Sequence, residues 1–384
     1  MNWNAATCPS SHPSKRRIES MTQDKTGFEI AGRPIGPDHP PLVIAEVSAN
    51  HLGRIDRALE TIEAAAACGA DAIKIQTYTA DTITMDHDGP GFVLESGPWA
   101  GRTLYDLYKE AGTPFEWHGA LFAKARACGV PIFSTPFDFT AVDLLEDLKA
   151  PAYKIASFEA VDLPLIARVA QTGKPMIIST GMANLGEIDA AVRTARENGA
   201  TGLALLHCLS AYPAPIDQAD LRTIPHLGAA FDVIAGLSDH TPGTACAVAA
   251  VALGARVIEK HFTLSRADGG PDSEFSLEPD EMRRLVQDCH AAFHALGSVR
   301  FGTAQSEAGS VTYRRSLYAV TDIAAGQCLT ADNVRSIRPG HGLAPSWYEK
   351  IIGRPASRDI KRGEPLQLDL IEWAGTDPAA GQEP

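Results

Sequence analysis

Nowhere in the 384 residues does an apolar run reach the 18 or more that a membrane-crossing helix needs, so none is expected. Basic charge is also scarce: 34 Lys and Arg stand against 47 Asp and Glu, a net charge of -13. That balance excludes a general nucleic-acid binder, which needs a basic face. It leaves an anionic small substrate open, because such binding depends on local cations and not on the total. The seven cysteines are scattered without one C-x-x-C pair, which argues against a disulfide framework and for reduced thiols in the cytoplasm. No G-x-G-x-x-G follows the first apolar run, so a doubly wound dinucleotide-binding sheet, the runner-up architecture, lacks its fingerprint. The first 20 residues carry no apolar stretch of the signal-peptide kind, and no secretion is expected. Residues 1–27 read as a disordered extension containing an alternative start at Met21, and 374–384 as a disordered tail.

What is present is one unit, repeated. Eight short runs rich in Ile and Val read as buried parallel strands: LVIAEVSAN, AIKIQT, PIFSTP, AYKIAS, PMIISTG, LALLHC, VIAGLSDH and RVIEKHF. Helical patterns such as RIDRALETIEAAAACGA and EIDAAVRTARENGA lie between most of them. Gly69, Gly129, Gly173, Gly199 and Gly254 each stand shortly before the next strand, where a left-handed residue closes a helix. Eight such units have the length and order of a (β/α)8 TIM barrel, expected over residues 28–297. A Gly- and Ser-containing stretch, 298–314, reads as a linker. Residues 315–373 then hold two copies of D-I-x-x-G-x-x-L, starting at Asp322 and Asp359, which suggest a small β-rich domain with internal two-fold symmetry.

A barrel places its active site at the carboxyl ends of its strands. The polar residues fall there: Glu46, Lys74 with Gln76, Ser134 with Thr135, Lys154 with Ser157 and Glu159, Ser179, His207, Ser238-Asp239-His240 and Glu259-Lys260-His261. Unpaired polar groups inside a closed barrel would cost several kcal/mol, so packing alone does not explain the concentration. His240 and His261 end neighbouring strands, and two imidazoles with water and substrate oxygens suit a catalytic manganese, cobalt, zinc or magnesium ion. Alternation aims Asp239 and Glu259 away from these neighbours, so neither is needed as a ligand. Lysine is almost never fully buried unless paired, yet Lys74 and Lys154 sit among apolar residues. They meet an anion, pair internally with Glu46 or Glu159, or, with a pKa lowered by burial, form a Schiff base. Burial at a rim raises a carboxylate toward neutrality, which makes Glu46 and Glu159 acid–base candidates. The helix histidines His118, His290 and His294 are expected to be solvent-exposed and without a role.

IAEVSANH, IKIQTYTADT, FSTPFD, AYKIASFE, STGM, GLSDHTPG and VIEKHF, in this order, resemble the sialic acid synthase family, and the C-terminal repeat resembles its antifreeze-like (SAF) domain. The likeness covers 28–373. ESGPWAGRTLYDLYKEAGTPFEWH, YKIASFE and PDSEFSL are most similar to the pseudaminic acid synthase branch, while the strand-six loop reads SAYP, with Ser210, where the sialate-type enzymes tend to have Asn before Tyr. The resemblance implies a condensation of phosphoenolpyruvate with an acylated amino-hexose, here 2,4-diacetamido-2,4,6-trideoxy-altrose, releasing phosphate. Synthases of N-acetylneuraminate or legionaminic acid are the alternative. It also implies roles. His240 and His261 would hold a divalent metal (Mn2+, with Mg2+ or Co2+ as alternatives). Lys74, Thr135, Lys154, Ser157, Ser179 and Ser238 would hold phosphoenolpyruvate. Glu46, Gln76, Tyr212 and Asp272 would face the sugar, and Glu159 would help deliver water to C2. Arg338 would enter a partner's active site in a domain-swapped homodimer.

Overall fold

A computed structural model describes residues 27–95, 97 and 99–373. The extension expected at 1–27, all but Gly27, and the tail expected at 374–384 lie outside the described residues. The chain divides into two compact units, one ending at Gly297 and one beginning at Ser298.

The first unit starts with an antiparallel hairpin, β1 (Phe28–Ile30) and β2 (Arg33–Ile35). Its turn residues Ala31 and Gly32 both have positive φ, 50° and 79°, as the two-residue hairpin turn requires. Eight parallel strands follow: β3 (Leu42–Glu46), β4 (Ala72–Thr77), β5 (Ile132–Pro136), β6 (Tyr153–Ile155), β7 (Met176–Ser179), β8 (Leu203–Cys208), β9 (Ile234–Asp239) and β10 (Val257–His261). β10 pairs with both β9 and β3, so the sheet closes. All eight runs expected to be strands are barrel strands. The five helix-closing glycines have φ of 85°, 71°, 70°, 103° and 103°.

Around the barrel run α1 (Ile55–Ala67), α2 (Ala80–Ile83), α3 (Leu104–Ala111), α4 (His118–Ala127), α5 (Phe139–Asp147), α6 (Leu163–Ala170), α7 (Leu185–Glu197), α8 (Thr223–Phe231), α9 (Ala245–Ala252) and α10 (Pro279–Leu296). In α1 the buried residues Ala58, Ile62 and Ala65 recur at helical spacing, and they share an apolar cluster with Val43 and Ala45, which face outward from β3. Inside the barrel, Ile30 and Ile35 of the hairpin pack with Leu42, Ala204, Ile234 and Val257, the first inward positions of their strands. The amino end is thus plugged by hydrocarbon and the carboxyl end left for chemistry. No helix among the described residues is long and apolar enough to cross a membrane.

The second unit is built on β11 (Ser316–Ala319), antiparallel to β12 (Val334–Ile337), with the short α11 (Tyr348–Ile351). Its two sequence repeats meet reciprocally. Ile323 and Ile360 exchange backbone hydrogen bonds of 2.9 and 2.8 Å. Asp322 accepts from the Arg362 amide, and Asp359 from the Ala325 amide, both at 2.8 Å. The repeat leucines Leu329 and Leu366 sit in one core with Leu317, Val334, Ile351 and Leu370. The copies touch through single bridges and turns in place of long strands. Gln305–Tyr313, inside the stretch read as a linker, forms a 3-10 run with no buried residue.

Candidate active site

Strand alternation decides which side chains enter the barrel. Along β3 the inward series is Leu42, Ile44, Glu46; along β4 it is Ala72, Lys74, Gln76; along β10 it is Val257, Glu259, His261. Each series passes from apolar to polar toward the carboxyl end. On β9 the second inward position is Gly236, where an added side-chain carbon would collide with the Val257 carbonyl and Leu206. The polar ends surround a cavity of about 550 Å³. Gln76, Lys74, Lys154, Ser157, Glu159, Ser179, Tyr212, Ser238, His240, His261 and Asp272 all line it. Glu46 and Thr135 are both fully buried beside it as partners of Lys74, opposite His261 and Gln76 in the strand register. Arg338 belongs to the second unit and is exposed.

The lysines carry the strongest electrostatics. Lys74 Nζ lies 2.5 Å from Glu46 Oε2, donates to Thr135 Oγ1 at 3.2 Å and stands 3.8 Å from Glu259 Oε1. Lys154 Nζ donates to Ser179 Oγ at 2.6 Å and stands 3.9 Å from the same Glu259 oxygen. The salt-bridge alternative is met at Lys74, which is paired with Glu46 and also lines the cavity, so the pairing does not take it out of reach of an anion there. Burial opposes the Lys74 charge, but Glu259 and Glu46 outweigh it and hold its pKa above the usual lysine value. Lys154 is lowered by burial, against the pull of Glu259 and with the push of Lys74. Burial raises Glu46 from 4.5 to about 7 despite Lys74. It raises half-buried Glu159 from 4.5 to about 7 as well.

The setting aside of Glu259 is corrected here. It stands two residues before His261, so alternation puts both on the inward face, and it lines the cavity. Burial works against its charge, but Lys154 and Lys74 hold its pKa below the usual carboxylate value, and Ser238 Oγ donates to it at 3.1 Å. Asp239 does face away from the cavity, toward Lys260. A second correction concerns His118, which is 0% exposed. Its ring lies 2.8 Å from Thr77 Oγ1 and 3.0 Å from the Pro114 carbonyl oxygen. The spacing of His118, Leu121, Phe122 and Ala125 in α4 marks one inward face and carried this signal. His290 is half-buried and lies 3.2 Å from Asp71.

The two imidazoles stand together, ring centres 5.4 Å apart, against Tyr212 (4.4 Å from His240) and Phe275 (5.0 Å from His261). His240 Nδ1 is 3.0 Å from the Leu209 carbonyl oxygen, the geometry of a ring N–H donor, which leaves the Nε2 lone pair available. His261 Nδ1 is buried without a hydrogen-bond partner, 3.8 Å from Asp272 Oδ2. Burial, with His240 adding to it, pushes His261 well below the usual histidine value, so its ring is neutral. An orphaned neutral imidazole beside an oriented one fits a divalent metal whose other positions are filled by water or substrate. Among the described residues no group of three or more His, Cys, Asp or Glu is gathered for a metal, so the protein's share would be two imidazoles.

Several lining residues were not singled out from the sequence. Tyr78, Ile83, Leu94, Trp99, Leu104 and Tyr108 form an apolar wall from the excursion between β4 and α4. Cys208 ends β8 with Sγ 3.9 Å from His240 Nδ1, while Ser210, noted from the sequence only as a departure in the strand-six loop, has its Oγ 2.7 Å from Ser157 Oγ. Inward alternation from Ala204 and Leu206 would have found Cys208; the wall has no period to read.

Known proteins match this arrangement along most of its length. A sequence model of the NeuB family fits residues 61–301, and one of the SAF domain fits 314–372. Pseudaminic acid synthase of Campylobacter jejuni is 43% identical over 330 residues, 86% of this chain and 96% of that one. The chain belongs to the NeuB family. Pseudaminic acid synthase of Helicobacter pylori is 41% identical over 87% of this chain and 98% of its own. Among solved structures, the N-acetylneuraminic acid (sialic acid) synthetase of Leptospira borgpetersenii, determined with citrate, is 31% identical. It superposes with a TM-score of 0.67 over 75% of this chain and 96% of its own. Membership in the NeuB family accounts for the order of the rim motifs, since His240, His261, Lys74 and Lys154 all lie within the matched span.

Proposed function

We propose that this NeuB-family chain is a pseudaminic acid synthase. It condenses phosphoenolpyruvate with 2,4-diacetamido-2,4,6-trideoxy-L-altrose and water, giving pseudaminic acid and phosphate. The observation that carries this reading is one cavity, in a chain 43% identical to a pseudaminic acid synthase, that sets two buried ammonium groups beside two imidazoles. Lys74 and Lys154, with Thr135, Ser157, Ser179 and Ser238, hold the phosphate and carboxylate of phosphoenolpyruvate. Glu46, Gln76, Tyr212 and Asp272 face the sugar, and the apolar wall around Trp99 suits its acetyl and C6 methyl groups. His240 and His261 would hold a divalent metal, Mn2+ foremost, with Mg2+ and Co2+ as alternatives. Such an ion supplies Lewis-acid polarisation of the open-chain aldehyde. The C2=C3 π pair of phosphoenolpyruvate bonds C3 to the aldehyde carbon, whose oxygen takes up a proton to become a hydroxyl. Water adds at C2 and gives up one proton in exchange, and the remaining hydroxyl proton leaves with phosphate as the C2–O bond breaks and C2 becomes a carbonyl. The lysines hold the two anionic groups in place through each step. Phosphate release measured side by side with the altrose, N-acetylmannosamine and the legionaminate precursor tests the reading. The altrose should win; preference for either other sugar would replace it with an N-acetylneuraminate or legionaminic acid synthase.

Glu159 takes the proton of the attacking water, and this sets a pH dependence. Its pKa of about 7 leaves it protonated in acid, so kcat/KM should rise through pH 7. Glu159→Gln should flatten that limb and lower the plateau roughly 100-fold, the scale of general-base catalysis. Stability follows with the opposite slope. Folding raises this pKa from 4.5 to about 7, so its contribution is full below 4.5 and is lost as pH rises through 7. A pH–rate profile of Glu159→Gln that keeps the wild-type limb would remove the residue from this role.

The enzyme acts as a domain-swapped homodimer in which Arg338 reaches a partner's sugar site. Exposed apolar residues after β5 to β8 support a covered rim: Phe139, Phe158, Val161, Met182, Leu185 and Ile216. Arg338→Ala should raise the KM for the sugar more than that for phosphoenolpyruvate; initial-rate kinetics showing the reverse would separate Arg338 from the sugar. A cytoplasmic place is supported by Cys68, Cys128, Cys208, Cys246, Cys289 and Cys328, all free thiols.

A further inference from the structure

Lys260 is among the largest fully buried side chains, 0% exposed, and its ammonium does not enter the cavity. β9 and β10 run parallel with Lys260 opposite Asp239, which is also buried. Lys260 Nζ donates to Asp239 Oδ2 at 2.7 Å and to the Thr241 carbonyl oxygen. Asp239 Oδ1 accepts from the Thr241 amide at 2.9 Å and from Thr241 Oγ1 at 2.7 Å. The pair is thus well supplied with partners on the outer face of the two strands, where its charges reach Glu281 and Cys289 of α10.

Stability is a poor reason for such a pair, because apolar residues of similar volume often serve a fold as well or better. Its place in the strands supplies another. Asp239 stands between Ser238 and His240, and Lys260 between Glu259 and His261. All four flanking side chains line the cavity. In a strand, holding one outward residue fixes the aim of both inward neighbours. The bonds to Thr241 also pin the backbone directly after His240. We infer that the Asp239–Lys260 pair is a positioning clamp, holding His240 and His261 in the mutual geometry that a divalent cation needs. The inference rests on the metal-binding reading of the two histidines.

The double variant Asp239→Leu/Lys260→Met removes both charges together and leaves neither uncompensated. Three measurements on the full chain decide the question: thermal midpoint, Mn2+ affinity by calorimetry, and side-chain 15N–1H spectra of His240 and His261 without metal. The expected result is a folded protein, its midpoint lowered only by the few degrees that the lost Thr241 bonds cost, with Mn2+ binding weakened roughly 10-fold or more, the scale of outer-shell losses at metal sites. The His240 Nδ1–H resonance should also shift as its bond to Leu209 loosens. Wild-type affinity together with unchanged histidine spectra would overturn the clamp. Should the double variant fail to fold, Asp239→Asn/Lys260→Gln, which removes both charges and keeps polar side chains, is judged by the same two readouts, and Lys260→Arg, which keeps the pair's charges, should retain wild-type affinity. If the wild type itself binds no Mn2+, the metal reading falls, and the histidine spectra alone decide the clamp.

Discussion

Replacing His261 with alanine is expected to lower kcat/KM for phosphate release about a thousandfold and to erase its sensitivity to EDTA. A metal acting as a Lewis acid contributes several kcal/mol to such a reaction, and each 1.36 kcal/mol is a factor of ten. Among the described residues His240 and His261 are the two imidazoles lining the cavity, so under the proposed metal role loss of His261 would remove half of the protein's hold on the ion. Its neighbours sharpen the test. The ring is kept neutral by burial and makes no ion pair shorter than 3.8 Å. Its removal therefore leaves no buried charge unpaired, and the variant should keep its fold. Far-ultraviolet circular dichroism, phosphate release and Mn2+ titration on one preparation check all three points. Full, EDTA-insensitive activity in His261→Ala would end the metal assignment.

Lys154→Met is expected to have a comparable effect by a different route. The ammonium is buried, bonded to Ser179 Oγ at 2.6 Å, and turned toward the cavity beside Lys74. A unit charge about 4 Å from an anionic group is worth roughly 4 kcal/mol at the effective dielectric near a protein surface, close to a thousandfold. The loss should fall on phosphoenolpyruvate: kcat/KM for that substrate drops, while the KM for the sugar changes little. Glu259 keeps Lys74 at 3.8 Å after the substitution, so the fold is weakened and not abolished. Unchanged phosphoenolpyruvate saturation in Lys154→Met would remove this lysine from the anion site.

The barrel was legible in the sequence because its strands are buried on both faces and so read as unbroken apolar runs. Its helices close on glycine, which a left-handed φ favours. The rim was legible for a related reason. A lysine or a pair of histidines inside such a run has no packing excuse, and Lys74, Lys154, His240 and His261 stand out on that ground alone. Two things were hidden. Glu259 was misjudged because its face depends on counting two residues back from His261, not one. The wall of Tyr78, Leu94, Trp99 and Tyr108 comes from an excursion of short, irregular elements without a steady period. The Lys74–Glu46 pair was among the internal pairings the sequence offered and is found, whereas Lys154 stands 3.9 Å from Glu259 and is not paired with Glu159.

The most direct measurement is an anomalous-scattering map from crystals grown with Mn2+ and phosphoenolpyruvate. The account requires a manganese peak bound by His240 and His261, with phosphoenolpyruvate held by Lys74 and Lys154 in the same cavity. An ion or a phosphoenolpyruvate molecule seated elsewhere, in crystals of active enzyme, would contradict it.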